Sequence, residues 1–134
     1  MTPETPHAAS ILIAEDSAPM RNFLCAALED RLDDVEVVTA ESGFAALRLL
    51  PSRSFQLLIT DINMPDINGL ELIHYLRENE HYRHIPILIV STEASEEDRK
   101  RGLALGADAY LNKPFDPEAL ESAVAPLLGR KEKS

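Results

Sequence analysis

The sequence predicts an α/β fold: an open parallel sheet of five strands, built from five βα units, with helices on both faces. Three observations carry that prediction. Short aliphatic runs at 10–14, 35–39, 55–60, 86–91 and 108–111 alternate with amphipathic stretches. The run Pro86-Ile87-Leu88-Ile89-Val90 lacks apolar–polar alternation, as expected of a strand buried on both faces of a parallel sheet. The length, 134 residues, suits one compact domain of this kind and is too short for two.

Each intervening stretch has its own helical signal. Residues 1–9 are polar, carry two prolines and are expected to form a loose N-terminal tail ahead of a domain spanning 10–128. Over 18–31, Met20, Phe23, Leu24, Ala27 and Leu28 recur at spacings of three and four, which gives one apolar face. Gly43 to Leu50 and Leu70 to Leu76 repeat the pattern less clearly. Ser95-Glu96-Glu97-Asp98 reads as a polar cap followed by first-turn acids. Asp116-Pro117-Glu118 reads as a cap with proline at the first helical position, and Leu120, Val124 and Leu127 form the inner stripe. Pro126 should kink that helix or end it within a turn. Residues 129–134 are expected to be a C-terminal tail.

Composition narrows the function. The chain carries 13 basic and 23 acidic residues, a net charge of -10, which argues against direct binding to nucleic acid. No apolar run approaches the ~20 residues needed to span a bilayer. The N-terminus lacks a signal-peptide pattern, and the single cysteine, Cys25, excludes an internal disulfide. A cytoplasmic protein is expected, with no membrane partner.

The chemistry lies at the strand ends. Glu15-Asp16 follows the first aliphatic run, and Asp61 follows the third. In a parallel sheet all strands point one way and ligands collect at their carboxyl ends, so Glu15, Asp16, Asp61 and Ser91 should share one edge. Three carboxylates in one crevice repel, and a divalent cation holds them together. Oxygen donors favour Mg²⁺ or a similar hard ion. Lys113, before Pro114, would reach the same edge as a point charge. A lysine, a hydroxyl and a cation around a carboxylate make a site for a phosphoryl group. The carboxylate itself can serve as the nucleophile, giving an acyl phosphate.

These residues resemble the receiver domains of two-component response regulators, most closely the stand-alone chemotaxis CheY-like members. The resemblance rests on Glu15-Asp16, on Asp61 with Met64-Pro65 and Gly69, on Ser91, and on Lys113-Pro114-Phe115 at fitting spacings. It implies a flavodoxin-like, doubly wound (βα)5 sheet with strand order 2-1-3-4-5, an order that periodicity alone does not supply. It also implies that Asp61 accepts a phosphoryl group from a histidine kinase or a phosphotransfer protein. Asp16, Asp61 and the backbone carbonyl of Asn63 would bind Mg²⁺, with Glu15 acting through a water. Ser91 and Lys113 would hold the phosphoryl oxygens, and the Lys113–Pro114 bond would be cis. Ser91 and Tyr110 would form the switch, while Asn63 and Glu93 would tune hydrolysis of the acyl phosphate.

Output is then expected through a downstream effector protein on the face built from the fourth helix, fifth strand and fifth helix. The protein would be a monomer or would dimerise on phosphorylation, and would turn over no external substrate. Glu96, Arg99 and Ala123 depart from the pattern of flagellar-motor-binding members. Other readings are a phosphate sink or relay without an effector, and an interaction module that is never phosphorylated. An aspartyl phosphatase on the same architecture usually carries a further acid two residues after the nucleophile, where this chain has Asn63. His81 and His84 are read as solvated loop residues, with no third ligand near them for zinc.

Overall fold

The computed structural model describes residues 9–92 and 96–130. Five strands alternate with five helices: β1 Ala9–Ala14, α1 Ala18–Arg31, β2 Val35–Ala40, α2 Gly43–Leu49, β3 Leu57–Thr60, α3 Gly69–Glu78, β4 Ile87–Ser91, α4 Glu96–Leu105, β5 Ala109–Asn112 and α5 Pro117–Leu127. A 3₁₀ turn, Leu50–Ser52, follows α2. The strands form one parallel sheet in the order β2-β1-β3-β4-β5, as the family resemblance implied.

Side-chain alternation divides the core between the two faces of this sheet. Ile11, Ile13, Leu57, Ile59, Leu88 and Val90 point to one face, where Leu24, Leu28, Leu120 and Val124 of α1 and α5 cover them. Leu12, Leu58, Ile87 and Ile89 point to the other, against Ala46 of α2 and Leu72, Ile73 and Leu76 of α3. The three central strands are therefore buried along nearly their whole length, whereas the edge strands β2 and β5 are only half-buried. Helix α4 contributes least to the core. Gly102 is its only buried residue, and a Cβ there would lie 2.4 Å from Ile89 Cδ1.

Helix starts follow their caps. Ser17 accepts from the Met20 amide at the head of α1, and Asp116 accepts from the Ala119 amide at the head of α5. Asn68 and Glu71 form a reciprocal capping box on α3. Pro126 lies inside α5, and the helix ends one residue later, at Leu127. The Ser95 cap expected for α4 lies outside the described residues.

At the inner ends of the expected tails, Ala9 and Arg130 belong to the described fold. Ala9 belongs to β1, pairing with Val35 and donating its amide to the Asp34 carbonyl at 2.8 Å. After α5, Gly129 turns with φ +73°, and the Arg130 amide donates back to the Ala125 carbonyl at 2.8 Å. The Arg130 guanidinium also donates to the carbonyls of Asp33 and Asp34, so this residue is fastened to the α1–β2 turn.

Arg77 gathers loops at the amino-terminal edge of the sheet, the edge where the α1–β2 turn also lies. Its Nη1 donates to the carbonyls of Arg83 and Ile85 at 3.0 and 2.8 Å, and Nε and Nη2 donate to that of Gly106 at 3.0 and 2.8 Å. One guanidinium thus ties the end of α3 to the loops before β4 and β5. Arg77→Met leaves these carbonyls without their charged donor and should cost about 2–3 kcal/mol, measured by urea unfolding.

Candidate functional site

The site residues stand one step beyond the strands, held there by continuation of the sheet ladder. The Glu15 amide donates to the Ala40 carbonyl, that of Asp61 to Ala14, and that of Lys113 to Ser91, at 3.0, 3.0 and 2.9 Å. The ends of β2, β1 and β3 are thereby held in register at the carboxyl edge, and so are those of β4 and β5. The backbone thus presents the three side chains to one another before any side-chain contact is made.

Lys113 is the centre of the arrangement. Its Nζ donates to Glu15 Oε1 at 2.7 Å and to Asp61 Oδ2 at 3.1 Å. The side chains of Lys113, Glu15 and Asp61 retain only 8%, 1% and 11% of their exposure, so the charges meet out of bulk water. Glu15 Oε2 accepts from the Ser17 amide at 3.1 Å, and the Glu15 carbonyl accepts from Arg21 Nη1 at 2.8 Å. Asp61 Oδ1 accepts from the Ile62 amide at 2.7 Å. Asp16 is the exposed member, and carboxylate oxygens of Glu15, Asp16 and Asp61 lie within 4.8 Å of one another.

Burial and bonding set the charge states. Burial pushes the Glu15 carboxyl above its ordinary value; Lys113 and the Ser17 amide resist, and the neighbouring Asp61 charge adds to the rise. For Lys113, burial favours losing the proton, but the hydrogen bond to Glu15 and the Asp61 and Glu15 charges outweigh it. The ammonium is therefore held above its usual range. The cluster keeps a cationic centre at any physiological pH.

Ser91 ends β4 and is fully buried, whereas Thr92 beyond it is exposed. Tyr110 lies on β5 opposite Ile89 and packs, half-buried, against the α2–α3 side of the core. Asn63 is exposed on the loop after β3. The Lys113–Pro114 bond is cis. Glu93 lies outside the described residues.

Two contacts here are not predicted by local sequence pattern. Gly69 packs so closely that a Cβ would sit 2.0 Å from the Asp61 carbonyl oxygen. Asp66, on the loop after β3, reaches 23 residues back to α2. Its Oδ1 accepts from the amides of Gly43 and Ile67 at 3.0 and 2.7 Å, and Oδ2 from that of Phe44 at 2.9 Å. Desolvation opposes ionisation of Asp66, but the Phe44, Ile67 and Gly43 amides and the Ser42 hydroxyl together hold its carboxyl down at about 2.

A buried lysine set between two acids at the carboxyl edge of a 2-1-3-4-5 sheet defines the receiver class of signalling domain. The response regulator receiver domain family model matches residues 11–125, and the chain belongs to that family. It is 37% identical over 120 residues to a chemotaxis protein CheY homolog of Campylobacter jejuni, covering 89% of this chain and 92% of the relative. It is 39% identical over 131 residues to a "probable transcriptional regulatory protein" of Picosynechococcus, covering 92% of this chain and 51% of that protein. The chain thus spans about half the length of one relative and nearly all of the other. The structure of the chemotaxis response regulator CheY4 of Vibrio cholerae superposes with a TM-score of 0.83 at 35% identity, covering 90% of this chain and 99% of that one. Among the described residues, no helix is long and apolar enough to cross a membrane.

Proposed function

We propose that the domain accepts a phosphoryl group on Asp61 from a histidine kinase or a phosphotransfer protein, in a Mg²⁺-dependent reaction. The Asp61 carboxylate attacks phosphorus, the bond from phosphorus to the donor imidazole breaks, and the imidazole leaves with the electron pair and takes up a proton. An acyl phosphate remains on Asp61. Phosphorylated Asp61 then signals by protein–protein contact through the α4–β5–α5 face.

The observation that carries this reading is Lys113 Nζ, 3.1 Å from Asp61 and 2.7 Å from Glu15. A phosphoryl group on Asp61 would bring its negative oxygens beside that ammonium, where low exposure strengthens the attraction. Ser91, one strand over and buried, supplies a hydroxyl on the same edge. The all-oxygen donor set fits a hard divalent ion. Asp16, Asp61 and the Asn63 carbonyl would hold it, while both Glu15 oxygens already have protein donors, which suits Glu15 to act through water. When bound, Mg²⁺ offsets charge on the transferring oxygens. Tyr110 would respond to Ser91 as the switch, and Asn63 with Glu93 would set the lifetime of the acyl phosphate.

Acetyl phosphate labelling with and without Mg²⁺ tests this. Wild type should label stoichiometrically only with Mg²⁺, and Asp61→Asn should not label. Equal labelling of the two proteins would end the reading.

A further inference from the structure

We infer that Asp66 is a positioning residue for the cation site, fastening the loop that carries Asn63 to the start of α2. The inference rests on the reading of the Asn63 carbonyl as a cation ligand. Residues 61–68 join β3 to α3, and several of them are pinned. The Gly69 amide donates to the Ile62 carbonyl at 2.8 Å, closing the base of the loop. Asn68 is committed to the α3 capping box. Asp66 takes the Gly43 and Phe44 amides, and Ile67 packs against Gly43, where a Cβ would lie 2.2 Å from Ile67 Cγ1.

Between the fixed Ile62 and the fixed Asp66 lie only Asn63, Met64 and Pro65. Met64 packs against the core, and Pro65 has a restricted φ. So short a span has few ways to join its two ends, and the direction of the Asn63 carbonyl follows from where Asp66 holds the far end. The partner atoms are backbone amides of another element, so the loop inherits the position of α2. Ser42 separately caps α2 by accepting from the Ala45 amide at 3.1 Å. Helix α2 therefore keeps this cap when Asp66 is removed, although the Ser42 hydroxyl also bonds the Asp66 carboxyl.

The experiment compares wild type, Asp66→Ala, Asp66→Asn and Ser42→Ala by Mg²⁺ calorimetry, thermal unfolding and amide exchange of the metal-free proteins. Asp66→Ala should weaken Mg²⁺ binding about ten-fold, in the range seen when a residue supporting metal ligands is lost. It should also speed exchange over 63–69. Asp66→Asn keeps one acceptor oxygen and should fall between Asp66→Ala and wild type. Ser42→Ala should lower the melting temperature yet leave Mg²⁺ affinity within about two-fold, since Asp66 loses one hydroxyl partner while all three amides still reach it. Wild-type affinity in Asp66→Ala overturns the inference and leaves the metal reading intact, as does an equal loss in Ser42→Ala. A wild type with no Mg²⁺ affinity overturns both.

Discussion

Replacing Lys113 by methionine is expected to lower the stability of the metal-free protein by about 3–5 kcal/mol at neutral pH, the usual cost of removing one partner of a buried ion pair. The side chain is nearly isosteric, so lost packing is a small part of the effect. What remains is a Glu15 carboxylate at 1% exposure with only the Ser17 amide to hold it, beside Asp61. Burial and Asp61 already raise the Glu15 carboxyl when Lys113 is present, and without the ammonium it rises further. A carboxyl with a folded pKa above its unfolded one gives stability below the unfolded value and loses it as pH rises through the folded value. The deficit of Lys113→Met should therefore be small near pH 4–5 and largest at pH 7–8. In wild type the raised Lys113 ammonium adds stability that is complete at neutral pH and declines only above its ordinary 10.5. Urea unfolding of both proteins at pH 5, 7 and 8 measures the difference. A deficit below about 1 kcal/mol, or one independent of pH, would show that Glu15 is solvated and the pair is worth no more than a surface bridge.

That prediction concerns residues whose meeting was legible from the chain, because each follows an aliphatic run in a sheet where all strands point one way. Legibility fails where burial and strand pairing separate. Phe55 and Gln56 belong to the third apolar run, yet β3 begins at Leu57. Phe55 is buried in the core as part of the approach loop, and Gln56 bonds to Ser10 outside the ladder. Hydrophobic pattern records burial, and burial extends past the ladder. The fifth run is displaced by one residue, to 109–112, for a related reason: an edge strand is half-buried and its pattern is weak. Arg77, Asp66 and Arg130 were not legible at all. Their partners lie up to 97 residues away, and no local periodicity predicts which distant carbonyl or amide a charged side chain will reach. Gly69 is an intermediate case. Its place in the motif after Asp61 was visible, but the reason for glycine there is a contact between two backbones.

That contact predicts the reverse of the usual helix rule. Alanine at an exposed helical glycine gains up to about 1 kcal/mol. At Gly69, the first residue of α3, an added Cβ would meet the Asp61 carbonyl oxygen at 2.0 Å, the Asp61 carbonyl carbon at 2.9 Å and Ile62 Cα at 3.0 Å. All three atoms are backbone, so no side-chain rotation relieves the overlap. Either α3 moves away or the end of β3 shifts. The first breaks the 2.8 Å bond from the Gly69 amide to the Ile62 carbonyl; the second displaces Asp61, the proposed phosphoacceptor. Overpacking of this kind costs about 1–3 kcal/mol, enough to outweigh the helical gain. The larger effect is on chemistry. Misplacing a reacting group by about 1 Å can cost on the order of 10²-fold in rate, and Asp61 Oδ2 now stands 3.1 Å from Lys113 Nζ. Gly69→Ala should therefore unfold at lower urea and label with acetyl phosphate about a hundred times more slowly at saturating Mg²⁺. A stabilised Gly69→Ala protein that labels at the wild-type rate would mean that the loop yields freely and that the close approach has no part in aiming Asp61.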